Sequence, residues 1–269
     1  MRRIAETFSK LKRLNEGGLV AYVTAGDPDP SCTVKIVDVL VKGGADIVEL
    51  GIPFSDPIAD GPVIQAATVR SLNAGTTVKK VFRISEEIRK ENEVPLIVLS
   101  YFNPIYRMGI EDFFDFAETS GIDGIVVPDL PIEEASEYKK AAEAHEIDTI
   151  FLVAPSTPTE RLRNIIEYTS GFLYLISVFG VTGVRKRIQD SAVRLIRRAS
   201  QITRGHVPLA VGFGISKPEH VKTVLRNGAD AAIVGSGFVK IIETNQDRNR
   251  MLEALYDYTR QLKATTVNK

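Results

Sequence analysis

Cysteine occurs once in 269 residues, at Cys32, which excludes an intrachain disulfide framework and fits a reducing compartment. It reads as a small apolar helix residue rather than a reactive thiol. Charge of one sign is also missing. The 34 Lys and Arg cancel the 34 Asp and Glu, and no basic run exceeds Arg185-Lys186-Arg187, so there is no electrostatic footprint for nucleic acid or a membrane surface. Nor is there an apolar stretch of the ~18 residues that a bilayer span requires. The N-terminus, M-R-R-I-A-E-T-F-S-K-L, lacks the apolar core and cleavage site of a secretory signal. The expected location is cytoplasmic, and the expected partner is a small molecule or another protein. No linker or low-complexity stretch divides the chain.

What is present is an ordinary globular composition, 44% hydrophobic and 25% charged. Ile4, Phe8, Leu11 and Leu14 fall at helical spacing and predict a short amphipathic N-terminal helix. Beyond it, eight short apolar runs alternate with amphipathic segments, over 19–24, 46–50, 96–101, 124–127, 149–153, 172–177, 209–212 and 231–234. Continuous apolar runs mark strands buried on both faces, as in parallel sheets, with helices as crossovers. Eight such units predict an α/β fold of the TIM (β/α)8 barrel type, with an extra N-terminal helix, as a single domain over 1–269. Its active site is expected at the C-terminal ends of the strands.

A weak internal repeat supports this reading. Gly44-Ala-Asp-Ile-Val, Gly121-Ile-Asp-Gly-Ile-Val and Gly228-Ala-Asp-Ala-Ala-Ile-Val each join a helix end to a strand start. Glycine suits the left-handed position that closes a helix, and Asp suits the short turn after it. These segments mark the bottom of the barrel.

At the strand ends the absences matter again. None of the eight runs contains Lys, Arg or His, which disfavours a Schiff-base lysine and a His-ligated metal. His145, His206 and His220 fall at a helix end, before a strand and within a helix, where surface roles are expected. Glu49 is different. It stands in V-E-L-G-I-P-F-S-D-P-I-A-D-G-P, and strand alternation puts it on the face of Ile47, opposite Val48 and Leu50. If that face is the lumen, desolvation raises its pKa toward the range where a carboxyl both gives and takes a proton near neutrality. The bland alternative is a buried Glu that only holds a loop. Asp56 and Asp60 follow in a Pro- and Gly-rich loop, where spacing alone leaves open a site role or turn chemistry. Glycines also mark the loops after runs six, seven and eight, at Gly180-Val-Thr-Gly183, Gly212-Phe-Gly-Ile and Gly235-Ser-Gly. Three such loops point to a phosphate site, with a helix N-terminus after the last.

The segment from Glu49 to Pro62, with Gly180-Val-Thr-Gly183, Gly212-Phe-Gly-Ile-Ser216 and Val234-Gly-Ser236, closely resembles the tryptophan synthase α subunit family over essentially the whole chain. That resemblance implies retro-aldol cleavage of indole-3-glycerol phosphate to indole and glyceraldehyde 3-phosphate, a step of tryptophan biosynthesis. It implies no metal and no cofactor in this chain, and a β subunit carrying pyridoxal phosphate as partner in an α2β2 heterotetramer. It implies Glu49 as general acid/base, Asp60 facing the indole N–H, and Tyr174 close to the catalytic Glu. Gly183, Gly214, Gly235 and Ser236 would hold the phosphate. Tyr22, Phe213 and Ile233 would line the indole pocket, with core packing as their alternative. Pro53, Asp56 and the stretch from Asn103 to Gly109 would meet the partner.

Some positions depart from the family pattern: Val178-Phe179 stands where a smaller or more polar pair is expected, and Pro128 where the best-known bacterial members have alanine. Both bear on loop closure and pocket detail, not on the reaction. The rival readings are a noncatalytic barrel subunit that activates a β partner and another phosphate-binding barrel. An indole-glycerol-phosphate synthase would show strand lysines and a ribulose-phosphate epimerase metal-binding histidines.

Overall fold

Burial on both faces makes the apolar runs pair in parallel. The computed structural model describes residues 2–176, 190–212 and 214–267. It lays the runs out as β1 (Gly18–Thr24), β2 (Ile47–Gly51), β3 (Leu96–Leu99), β4 (Gly124–Val126), β5 (Asp148–Ile150), β6 (Leu152–Val153), β7 (Leu173–Ile176), β8 (Leu209–Gly212) and β9 (Ala231–Val234). The spatial order is β5-β4-β3-β2-β1-β9-β8-β7-β6, every pairing parallel.

Eight runs thus become nine strand segments, because the fifth is interrupted at Phe151. β5 pairs with β4 and β6 with β7, so the sheet's two outer members are halves of one run, and the sheet returns on itself as a TIM barrel. The Phe151 carbonyl still accepts from the Tyr174 N–H at 3.0 Å, so the interruption is where the run changes neighbours. The third run also ends earlier than expected, at Leu99. Ser177, at the end of the sixth, lies outside the described residues.

The helices of the first half are α1 (Arg3–Leu14), α2 (Pro30–Gly43), α3 (Pro62–Asn73), α4 (Val78–Arg89), α5 (Phe102–Met108) and α6 (Ile110–Thr119). Those of the second half are α7 (Ser136–Ala144), α8 (Thr159–Tyr168), α9 (Asp190–Thr203), α10 (Pro218–Arg226), α11 (Ser236–Thr244) and α12 (Arg248–Lys263). None of the described helices is long and apolar enough to cross a membrane.

Strand alternation sorts the core into two shells. Leu19, Ala21, Val23, Val48, Leu50 and Val98 face outward into the layer beneath the helices. Val20, Tyr22, Ile47, Ile97, Leu99, Val126, Ile150, Tyr174, Ala210 and Ile233 fill the lumen. Ile4 and Phe8 of α1 join the lumen shell, and the Phe8 ring meets Phe172 at 5.9 Å between centroids. The expected amphipathic helix is present, but its apolar stripe stops at Leu11, since Leu14 is 55% exposed at the helix end.

The Gly-Asp repeat has a physical account. Gly44, Gly121 and Gly228 have φ of 104°, 74° and 106°, the left-handed region that a side chain disfavours. Each following Asp then accepts from the first free N–H of the neighbouring strand. Asp46 takes Leu19 at 2.8 Å, Asp123 takes Leu96 at 2.8 Å and Asp230 takes Leu209 at 2.9 Å. These bonds occupy donors at the start of the strand ladder that would otherwise be buried without partners. The bottom of the barrel is therefore pinned in pairs of strands, leaving the opposite rim to the loops.

Candidate active site

Glu49 sits at the middle of β2, in register between Tyr22 of β1 and Ile97 of β3. It faces the lumen, as alternation requires, and is completely buried. Neither carboxylate oxygen has a hydrogen-bond partner among the described residues. An ionised carboxylate in such a place is strongly disfavoured. Burial first, and then the charge of Asp60, push its pKa up to about 8.

Asp60 reaches the same space from the loop that follows. Its backbone N–H donates to Pro57 at 3.0 Å, and its carbonyl accepts from Gln65 Nε2 at 2.9 Å. Its carboxylate accepts a 3.0 Å bond from the Tyr101 hydroxyl. Burial raises its pKa to about 6, opposed by that hydrogen bond. The two carboxyls consequently differ near neutrality: Glu49 holds its proton and Asp60 is ionised. Such a split is how neighbouring acids take different roles in one site.

Tyrosines surround the pair. Tyr22 and Tyr174 are buried, and burial raises both phenol pKa values well above the ordinary range, with Asp60 adding next at Tyr22 and Glu49 next at Tyr174. The strand-end glycines leave room for these rings. A Cβ on Gly212 would come within 2.6 Å of the Tyr174 hydroxyl, and one on Gly235 within 3.1 Å of the Tyr22 ring. Ile233 belongs to the same lumen shell. Tyr22 thus stands in register beside Glu49, while Ile233 pairs with Val20 on the other side of β1.

Across the mouth, Gly235 is the N-cap of α11, whose first residue is Ser236. The short helix expected after the last strand is therefore present, held by Phe238 and Val239, with α3 packed against it. Gly214 lies just beyond β8, exposed and with φ of 77°. Gly183 and Phe213 lie outside the described residues, as do Val178, Phe179, Gly180 and the Arg185 to Arg187 cluster.

On the outer rim, Asp56 is exposed and accepts from the Ser55 hydroxyl. Asn103 is exposed on α5, beside an open groove lined by Phe54, Lys79, Pro104 and Met108. Pro53 is buried, so the exposed rim here is Asp56 with Ile58, which is 82% exposed. Among the histidines, His206 is exposed and His145 binds Glu118 at 2.6 Å, but His220 is buried in α10, where a surface role was expected. Its Nδ1 accepts from the Ser216 N–H at 3.4 Å. No group of three or more His, Cys, Asp or Glu among the described residues is arranged to hold a metal ion.

Tyr101 carries little signal of a site role in the sequence. The only signal was an aromatic at the end of an apolar run, in S-Y-F-N-P, which reads as a strand end. It is instead the N-cap of α5, buried, with its ring 5.4 Å from Phe54.

A parallel barrel with one carboxyl buried in its lumen, an ionised one beside it and a glycine-headed helix across the mouth defines an acid–base enzyme of the β/α-barrel class. The family model for the tryptophan synthase alpha chain matches residues 8–267. The Methanosarcina barkeri tryptophan synthase alpha chain is 49% identical over 253 residues, covering 94% of each chain. That of Arabidopsis thaliana is 42% identical over 265 residues, covering 98% of this chain and 96% of its own. Among solved structures, a mutant tryptophan synthase alpha-subunit from the hyperthermophile Pyrococcus furiosus superposes with a TM-score of 0.85 at 43% identity, over 92% of this chain and 98% of its own. A structure from Aquifex aeolicus superposes with a TM-score of 0.89 at 35% identity, over 99% of both chains. This chain belongs to the tryptophan synthase alpha chain family.

Proposed function

We propose that this chain cleaves indole-3-glycerol phosphate to indole and glyceraldehyde 3-phosphate, with Glu49 as general acid and base and Asp60 as the group that steadies the indole ring. The observation that carries the reading is the Glu49 carboxyl, buried in the lumen without a hydrogen-bond partner among the described residues, a setting that pushes its pKa up to about 8.

Glu49 first gives its proton to indole C3, which places a positive charge on the ring at nitrogen. Asp60, ionised, accepts from the indole N–H and favours that cation more than it favours the neutral ring. The Glu49 carboxylate then takes the proton from the hydroxyl on the carbon attached to C3. The bond between that carbon and C3 breaks, its electron pair returns to the ring, the hydroxyl carbon becomes the aldehyde, and Glu49 is again protonated. The protonated indole is the electron sink, so the reading requires no cofactor in this chain.

Gly235, Ser236 and Gly214, with Gly183, are read as the phosphate site, since unblocked N–H groups at a helix N-terminus favour an anion. Tyr22, Ile233 and Phe213 are read as the indole pocket, and Tyr174 as the neighbour that shapes the space around Glu49. The whole of 1–269 is taken as one domain. The partner is read as a β subunit in an α2β2 assembly, with pyridoxal phosphate confined to that subunit. Exposed Asp56, Ile58, Asn103 and Tyr106 around the mouth support this placement. A noncatalytic activating role would leave the desolvated Glu49 without a purpose.

The test is the release of indole from indole-3-glycerol phosphate, with and without a cognate β subunit. Stoichiometric indole and glyceraldehyde 3-phosphate are expected, faster with β. No indole under either condition would refute the activity, and no complex by size-exclusion chromatography would refute the partner.

A further inference from the structure

The backbone of Asp60 is held by Pro57 and Gln65, but its side chain is held differently. Among the described residues, the Tyr101 hydroxyl is the group that donates to the Asp60 carboxylate. The same hydroxyl accepts from the Ala59 N–H at 2.9 Å, so one phenol oxygen binds two consecutive residues of the loop. Burial and the Asp60 charge raise the Tyr101 pKa, so its hydroxyl keeps the proton and remains a donor. Its ring is fixed in turn, by the α5 N-cap position and by Phe54. A Phe would fill the same space and keep the ring contact. The hydroxyl therefore has to be explained by its two partners.

We propose that Tyr101 is a positioning residue for the cleavage step, whose hydroxyl aims the Asp60 carboxylate at the indole N–H. The proposal rests on the role given above to Asp60. A donor that orients one carboxylate oxygen leaves the other free to receive the indole N–H, and a chain from Ala59 N–H through the phenol strengthens each bond within it. Among the described residues, the charged and titratable groups facing Asp60 are Glu49 from β2, Tyr22 from β1, Tyr174 from β7 and Tyr101 itself. Of these, Tyr101 alone is seen to donate to it.

The experiment is Tyr101→Phe in the full chain, with Asp60→Asn and the double variant alongside. Tyr101→Phe should lower kcat by roughly 10- to 100-fold, the usual worth of a hydrogen bond to a charged group, with KM changing by less than about threefold. The acid limb of its kcat/KM profile should move to higher pH, because a lost donor favours protonation of Asp60. Replacement by 3-fluorotyrosine, a stronger donor of near-identical shape, should move the same limb to lower pH. In the Asp60→Asn background, Tyr101→Phe should change kcat by less than about twofold. Effects that multiply in the double variant, or an acid limb that stays put in Tyr101→Phe, would overturn the role of Tyr101 while leaving that of Asp60 standing. Normal turnover in Asp60→Asn would instead remove the Asp60 reading and this proposal with it.

Discussion

A Cβ on Gly51 would lie 2.2 Å from the Tyr22 hydroxyl and 2.8 Å from its ring carbon Cζ. Gly51 ends β2 two residues after Glu49, and Tyr22 pairs in register with Glu49. The glycine is therefore the space into which the tyrosine tip fits, next to the Glu49 carboxyl.

Gly51→Ala should force that ring to move. Overpacking of this kind costs about 1–3 kcal/mol, so the thermal midpoint should fall and cleavage should slow. Adding Tyr22→Phe removes the closest atom and should restore part of both losses. A single variant with wild-type melting and turnover would contradict the contact.

Glu49→Gln keeps the size of the side chain and removes its proton chemistry. Indole release should fall by about two to four orders of magnitude, the usual contribution of a general acid/base. Substrate binding, measured by equilibrium titration, should change little. Near-normal turnover would sink the assignment.

The pH profile follows from the two carboxyls. Below about 6 Asp60 becomes protonated, and above about 8 Glu49 loses its proton, so kcat/KM should be bell-shaped between limbs near those values. The limbs report the interacting pair rather than either residue alone. A profile flat from pH 5 to 9 would count against the pair.

Stability should show the same groups. Glu49 binds a proton more tightly folded than unfolded, so from the ordinary carboxyl range up to about pH 8 the folded state holds a proton that the unfolded chain has lost. Unfolding free energy should therefore fall by ~1.4 kcal/mol per pH unit across that window from this group. Glu49→Gln should flatten the slope and be the more stable protein at pH 8. Denaturant titrations at several pH values measure this directly, and an unchanged slope would speak against a buried, protonated Glu49.

At the other end of the barrel, Asp123 binds the Leu96 N–H, Arg3 and the largely buried Arg89. Asp123→Ala leaves the Leu96 N–H without its acceptor and the largely buried Arg89 with backbone carbonyls but no counter-charge from Asp123. A loss of about 2–4 kcal/mol is expected in denaturant melts, with kcat unchanged at temperatures where the variant stays folded. A loss of turnover without a loss of stability would show that this end is not purely structural.

The barrel was legible because parallel strands buried on both faces must be continuously apolar, and eight such runs separated by helices leave few other arrangements. Glu49 was legible for the converse reason: one carboxyl among Ile47, Val48, Leu50 and Ile52 conflicts with its surroundings. The Gly-Asp turns were legible as turns, since left-handed glycines announce themselves. That each Asp reaches across to a neighbouring strand was not, because the bond joins residues 21 to 27 positions apart.

The sequence by itself determined the strand pattern, the lumen face of β2 and the residue types gathered in the loops after the strands, all consequences of local periodicity and of what each backbone position tolerates. Only the tertiary structure decided that Phe151 divides the fifth run, that Pro53 and His220 are buried, and that Tyr101 leaves the strand to hold Asp60. Those outcomes depend on which segments meet in space, and the energies of desolvation and hydrogen bonding that separate a proton-holding Glu49 from an ionised Asp60 exist only once the barrel has closed around them.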